Sequence, residues 1–255
     1  MPTQSTAVRR RADRALERQL AYQEAKAERI RGDEADLFRR RSKRAQNVRA
    51  KIEAHTTIGE DDRVLEVGCG AHGLIFFFGA KNVVGVDPLA DHYARLFPAW
   101  QHRAQTVAAP GENLPFPDAS FDVVLCDNVV DHAEDPRRIL EEIARVLKPG
   151  GAFFFEVNVH HVFYHAAASV HAGWRAAGLP FEITPFADHT VHLTRKAAAR
   201  LFDGLPFRIM AAHDNIQEHK RRRKRARHPG DWLKRIFFKN AAYEVVAIRE
   251  AKPAQ

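Results

Sequence analysis

Arg63-Val64-Leu65-Glu66-Val67-Gly68-Cys69-Gly70-Ala71-His72-Gly73 is the stretch from which the rest of the chain can be read. Its first five residues form a short β-rich run, and the glycines that follow stand where a helical segment would begin. Bare backbone at such a strand-to-helix turn lets a nucleotide-sized ligand approach the N–H groups closely. A second β-rich run ends in Gly85-Val86-Asp87, with Asp87 lying 21 residues beyond Glu66. At that separation an acidic side chain can accept hydrogen bonds from both ribose hydroxyls of a nucleoside held on the first loop.

Outward from this pair, short β-rich runs alternate with helical stretches, the pattern of βαβ units in a parallel sheet. Strands are expected over Val64 to Val67, Val83 to Val86, Gln105 to Val107, Phe121 to Cys126 and Ala152 to Val157, with later ones over Phe207 to Ala212 and Tyr243 to Arg249. Helices are expected over Gly73 to Phe78, Leu89 to Leu96, Pro136 to Leu147 and Arg195 to Phe202. The third of these is closed by Lys148-Pro149-Gly150-Gly151, a basic last turn followed by Pro and Gly stop signals. Residues 1–55 are rich in Ala, Arg, Glu, Gln and Lys, and place Leu16, Leu20, Leu37, Val48 and Ile52 at helical spacing. Two amphipathic helices broken near Gly32-Asp33 are expected there.

At 255 residues the chain has room for one main domain of 56–255 behind a basic helical extension of 1–55 that forms part of a lid. No long apolar run and no leader-like N-terminus is visible, so a soluble, cytoplasmic protein is the expectation. Cys69 and Cys126 each lie in an apolar run, as buried reduced thiols do. The net charge of +8 is unevenly spread: residues 1–55 carry 15 Lys/Arg against 8 Asp/Glu, residues 218–239 carry 10 against 2, and the rest carries 15 against 22. The body is therefore mildly acidic, and the basicity sits in the extension and in a late insertion at about 214–240.

Gly68-x-Gly70-x-x-Gly73 also satisfies a dinucleotide fingerprint. Glu66 separates the two readings, because a carboxylate two residues before the first glycine would repel a pyrophosphate yet can hold a charged amino-acid end. Two downstream segments decide between them. Gly111-Glu112-Asn113-Leu114-Pro115-Phe116-Pro117-Asp118-Ala119-Ser120-Phe121-Asp122-Val123-Val124 is the first, and His132-Ala133-Glu134-Asp135-Pro136 through Leu147-Lys148-Pro149-Gly150-Gly151 is the second. With the glycine loop they closely resemble the class I S-adenosylmethionine-dependent methyltransferases of the ubiquinone/menaquinone-biosynthesis-like kind (methyltransferase type 11), in order and spacing over about residues 60–157.

The resemblance implies a Rossmann-like, doubly wound α/β fold with a seven-stranded sheet, mostly parallel with an antiparallel last strand. It implies S-adenosylmethionine as cofactor, with Gly68, Gly70 and Gly73 under the methionine moiety, Glu66 holding it, and Asp87 with Pro88 at the ribose. Glu112 and Asn113 would lie near the adenine, and Asp127 with Asn128 would end the fourth strand beside the sulfonium. The loop is one residue longer than the commoner Gly-Cys-Gly-Thr-Gly, and Pro110 stands where the family usually has an acidic residue.

Methyl transfer from a sulfonium needs positioning above all, and a base only when the acceptor must lose a proton. In a doubly wound sheet the ligand sits beyond the C-terminal strand ends, which points to His132 and His161 as candidate bases. Imidazoles also cluster at His160, His161, His165 and His171, but no nearby Cys or paired carboxylate completes a usual ligand set, so no metal is expected. The expected acceptor is a small molecule, lipid-like or sugar-containing. The run Lys220 to Arg227 leaves RNA as the second acceptor class, although no aromatic residue interrupts it. Trp232 and Phe237 suggest a peripheral membrane contact as another reading of the insertion. A partner subunit that binds the cofactor and catalyses nothing is the non-enzymatic alternative.

Overall fold

The computed structural model describes residues 6–30, 34–163, 191–222, 238 and 240–251. Seven strands form one sheet: β1 (Arg63–Val67), β2 (Asn82–Val86), β3 (Gln105–Val107), β4 (Phe121–Asp127), β5 (Leu147–Val159), β6 (Phe207–Asp214) and β7 (Ala241–Arg249). Their order is β3-β2-β1-β4-β5-β7-β6. The pairs from β3 through β5 are parallel, and β7 runs antiparallel between β5 and β6. Strand order reverses direction between β1 and β4, and in open α/β sheets ligands bind at that crevice.

The helices are α1 (Thr6–Ile30), α2 (Ala35–Glu53), α3 (Ala90–Leu96), α4 (Pro98–Gln101), α5 (Pro136–Val146), α6 (Arg195–Arg200) and α7 (Ile216–Arg222). They cover both faces of the sheet, which is why the central strands read as nearly continuous apolar runs. On one face Leu65, Val124, Phe153 and Phe155 pack with Ile139, Leu140 and Ile143 of α5. On the other, Val64, Leu125, Phe154 and Val246 pack with Ala45, Val48 and Ile52 of α2. Burying Val48 and Ile52 contributes about 1.5–3 kcal/mol each, so α2 belongs to the core of the sheet. The two N-terminal helices occur where the sequence places them.

Helix α5 shows how its sequence sets its limits. The Asp135 side chain caps it by accepting from the backbone N–H of Arg138 at 3.0 Å, and Pro136 takes the first position, where no N–H is needed. At the other end the structure departs from expectation. Lys148-Pro149-Gly150-Gly151 lies within β5, which starts at Leu147 directly after α5. The register against β4 jumps there, from Phe121 opposite Leu147 to Val123 opposite Ala152, and Gly150 takes φ +81°. The stop signal is thus an irregularity inside a long strand that β4 and β7 hold from both sides.

The helix expected over Gly73 to Phe78 is reduced to a single 3-10 turn, Ile75–Phe77. The Glu66 carboxylate takes up the N–H groups of Leu74 and Ile75, and Gly79 ends the segment at φ +81°.

Candidate functional site

The glycine loop is pinned at its base, where the N–H groups of Gly68 and Cys69 both donate to the carbonyl of Val86, at 2.7 and 3.0 Å. Its three glycines do different work. Gly68 sits at φ +71°, and a Cβ there would lie 2.3 Å from Cγ2 of Val129. At Gly73 a Cβ would lie 2.4 Å from Oε2 of Glu66 and 2.6 Å from the Cys69 carbonyl oxygen. Gly70, at φ +53°, has nothing within 4 Å of its Cβ position. The loop therefore packs tightly below and opens only at Gly70.

Asp87 stands beside that opening. Its Oδ2 accepts from the N–H of Gly70 at 3.0 Å and its Oδ1 from the N–H of Leu89 at 2.9 Å. Burial raises its carboxyl above the usual range, against the pull of those two bonds. Pro88, next to it, is exposed. Glu66 faces the other way. It is 2% exposed, and its oxygens accept from Leu74 at 3.1 Å and Ile75 at 2.8 Å. Burial pushes it up to about 8, opposed by the two backbone donors. Glu66 thus shapes the loop from beneath.

At the ends of β4 and β5, Asp127, Glu156 and Glu244 stand in register on three adjacent strands. Arg44 of α2 reaches into this row, with Nη2 2.7 Å from Asp127 Oδ1 and 2.6 Å from Glu156 Oε2. Lys51 of α2 pairs with Glu244. Burial first, then Glu244 and Asp127, raises Glu156 to about 7, and Arg44 opposes them. Asn128 follows at φ +60°, its N–H on the Glu156 carbonyl at 2.8 Å and its Oδ1 accepting from Asn158. A short polar side chain tolerates that left-handed backbone.

Glu112 accepts from the N–H of Glu134 at 3.1 Å, and so ties the β3–β4 connection to the segment after β4; Asn113 is exposed. His132 is exposed, with Nε2 3.9 Å from Oδ1 of the buried Asp131. His161 stacks against Phe163, ring centroids 5.5 Å apart, and its Nδ1 accepts from the Phe163 N–H at 3.3 Å. The ring nitrogens of these two histidines are thus engaged differently, one near a carboxylate and one on backbone.

Several neighbours of the site carry no motif. His160 and His192 are buried edge to face, with centroids 5.1 Å apart. Lys26 of α1 lies 3.3 Å from Nδ1 of His72, the added residue of the glycine loop. Helical spacing from Val48 and Ile52 back to Arg44 is the one signal that could have placed that cation at the sheet. Trp232, Phe237, His165, His171 and residues 223–227 lie outside the described residues. Among the described residues no group of three His, Cys, Asp or Glu is placed to share a metal ion, and no helix is long and apolar enough to cross a membrane.

Residues 65–155 match the family described as a methyltransferase domain. A tRNA U34 carboxymethyltransferase of Campylobacter curvus is 36% identical over 101 residues, covering 36% of this chain and 33% of that protein. A thiol S-methyltransferase of Rattus norvegicus is 36% identical over 104 residues, covering 38% and 42%. The chain thus spans less than half the length of the curated relatives it matches. The solved structure of the YcgJ protein of Bacillus subtilis shares the fold at a TM-score of 0.57 and 16% identity, covering 81% of this chain and 100% of that one. Its likeness extends to the seven-stranded architecture, while the sequence match spans the glycine loop, Asp87 and most of β5. Residues 65–155 thus match a methyltransferase domain, and the chain as a whole shares the fold of that solved structure.

Proposed function

We propose that this chain binds S-adenosylmethionine on the glycine loop and transfers its methyl group to a small-molecule acceptor. The observation that carries the reading is the opening at Gly70, where a left-handed glycine with free space over its Cβ position lies 3.0 Å from the Asp87 carboxylate. The residues present fit the cofactor: Gly70 leaves room for its amino-acid end, Gly68 lets the loop pack against Val129 beneath it, and Asp87 with Pro88 offers an acceptor to the ribose. Glu112 and Asn113 lie toward the adenine, and Asp127 and Asn128 stand at the end of β4. Glu66 and Gly73 serve by shaping the loop.

When bound, S-adenosylmethionine supplies a methyl group already activated on a sulfonium. What remains for the chain is to hold the acceptor in line and, where the acceptor carries a proton, to remove it. We assign the second task to His132, which is exposed after β4 with its Nε2 3.9 Å from the Asp131 carboxylate. His161, whose Nδ1 accepts from the backbone, lines the acceptor side.

Calorimetry with S-adenosylmethionine and S-adenosylhomocysteine tests the site. Asp87→Ala should weaken binding by about 1–3 kcal/mol through lost ribose hydrogen bonds. Unchanged affinity in that variant would overturn the assignment. For the acceptor, small thiols are the first class to assay, because a relative is named for thiol methylation. RNA is the second reading, favoured by the excess of 10 Lys/Arg over 2 Asp/Glu in residues 218–239 and by the tRNA-modifying relative. It requires salt-sensitive binding to bulk RNA that deletion of residues 220–227 removes.

A further inference from the structure

We propose that Arg44 of α2 is a positioning residue for methyl transfer: by clamping Asp127 and Glu156 it holds the left-handed turn after β4 that carries His132. This role rests on the reading of the glycine loop as the S-adenosylmethionine site and of His132 as the acceptor's base.

The sequence of α2 sets one face against the sheet. Ala45, Val48 and Ile52 are buried there, and Arg44 and Lys51, one turn to either side of Val48, share that face. The guanidinium of Arg44 grips Asp127 with Nε, 3.3 Å from Oδ2, and with Nη2, 2.7 Å from Oδ1, and Nη2 also lies 2.6 Å from Glu156 Oε2. A planar fork can take one carboxylate with two donors and still reach a second, a fixed geometry that an ammonium lacks. Asn128, directly after Asp127, is at φ +60°, a conformation few residues other than glycine adopt, and its N–H donates to the Glu156 carbonyl at 2.8 Å. The chain then turns, with the His132 N–H on the Val129 carbonyl at 2.9 Å and the Ala133 N–H on the Val130 carbonyl at 3.3 Å. The two residues that seat Asn128, one before it in the chain and one beside it in the sheet, are thus held by one cation of the N-terminal extension.

The side chains of Asp127 and Glu156 are 9% and 14% exposed, so without Arg44 two poorly hydrated carboxylates would stand on adjacent strands with Glu244 in register beside them. Around Glu156 the charged groups are Arg44 and Lys51 from α2, Asp127 from β4 and Glu244 from β7, with His213 of β6 next in register after Glu244. Burial first, then Glu244 and Asp127, raises Glu156 to about 7, and Arg44 opposes them. In wild type Glu156 therefore sheds its proton near pH 7 into a partnered site. Without the cation that ionisation is resisted, so the deficit of a variant grows as pH rises past 7 and shrinks below it.

The test is peptide-level hydrogen exchange on the full chain, with S-adenosylhomocysteine affinity measured alongside by calorimetry. Arg44→Met should lower the protection of the Asn128, His132 and Ala133 amides by about tenfold or more at about pH 8.5, and by clearly less at about pH 6. Protection in the glycine loop, residues 68–75, and affinity for S-adenosylhomocysteine should stay within about twofold. Arg44→Lys should keep part of the protection. Arg44→Met combined with Glu156→Gln removes the facing charge, so it should recover most of the protection and lose the pH dependence, and it reads the clamp even if Arg44→Met alone folds poorly. Unchanged protection after β4 in Arg44→Met overturns the proposal, as does a loss spread evenly over the chain or one of equal size at both pH values. If wild type binds no S-adenosylhomocysteine while the exchange pattern is the expected one, the reading of the pocket fails and the clamp does not.

Discussion

The glycine loop after β1 and the ends of β4 and β5 open on the same edge of the sheet, but they are built differently. The loop is held by its near neighbours: its N–H groups donate, two to the Val86 carbonyl, two to the Glu66 carboxylate and one to the Asp87 carboxylate, all on β1 or at the end of β2. The strand ends are held by side chains from far along the chain, as when Arg44 reaches Asp127 and Glu156 across 83 and 112 residues. A site fixed by such short-range hydrogen bonds can serve a cofactor common to a whole family. One fixed by exchangeable side chains can be retuned for a different acceptor without disturbing the first. Predictions that separate the two should therefore divide cleanly between cofactor binding and chemistry.

The largest expected effect falls on the acceptor side. His132→Ala should lower kcat for a protonated acceptor such as a thiol by about 10²-fold, at the lower end of what general-base catalysis contributes, with S-adenosylhomocysteine affinity unchanged. The loss should shrink as pH rises and the thiol ionises unaided, which a pH–rate profile would reveal. Equal losses at all pH values would leave His132 no role as a base. On the cofactor side, Gly68→Ala must place a Cβ 2.3 Å from Val129 on a backbone at φ +71°. Overpacking together with the left-handed penalty should cost about 2–4 kcal/mol of stability in a denaturant titration. It should also take cofactor affinity with it. A Gly68→Ala variant that lost turnover alone would erase the proposed division.

The same contrast explains what the sequence could convey. Strands β1 to β4 were legible because burial on both faces writes itself as Val64 to Val67 and Phe121 to Cys126, and β7 because its run from Tyr243 to Arg249 is long. The start of β5 was not, since Lys148-Pro149-Gly150-Gly151 carries local stop signals, and the strand crosses them only because Leu147 pairs with Phe121 before them and Ala152 pairs with β4 and β7 after them. Asp87 could be located from spacing alone, its carboxylate following from a strand end beside a glycine turn. The direction of the Glu66 carboxylate could not, because it depends on where Leu74 and Ile75 present their N–H groups. Nor did Lys26 and Arg44 stand out as neighbours of the site. In an arginine-rich helix only the spacing of Arg44 from Val48 and Ile52 hints at which cation faces the sheet, and tertiary packing makes the choice.

His72 offers the smallest and most specific test, since it belongs to the loop but is held by side chains in the manner of the other region. Burial, then the fields of Lys26 and Arg41, lowers its imidazole to about 3, so it stays neutral in the folded chain. In the unfolded chain it takes up a proton near its ordinary pKa of about 6.5. Between those two values the unfolded state binds the extra proton, so this contribution to stability is whole above about pH 6.5 and is lost as pH falls toward 3. His72→Phe keeps an aromatic ring against Phe97 and Trp100 but has no proton to bind. Its unfolding free energy should therefore fall less steeply than that of wild type from pH 6.5 downward, while the two profiles run parallel above pH 7. Denaturant titrations at a series of pH values give the comparison. Parallel profiles through the acid range would mean that His72 protonates freely in the folded loop, which its place between two aromatic rings and beneath an ammonium group should prevent.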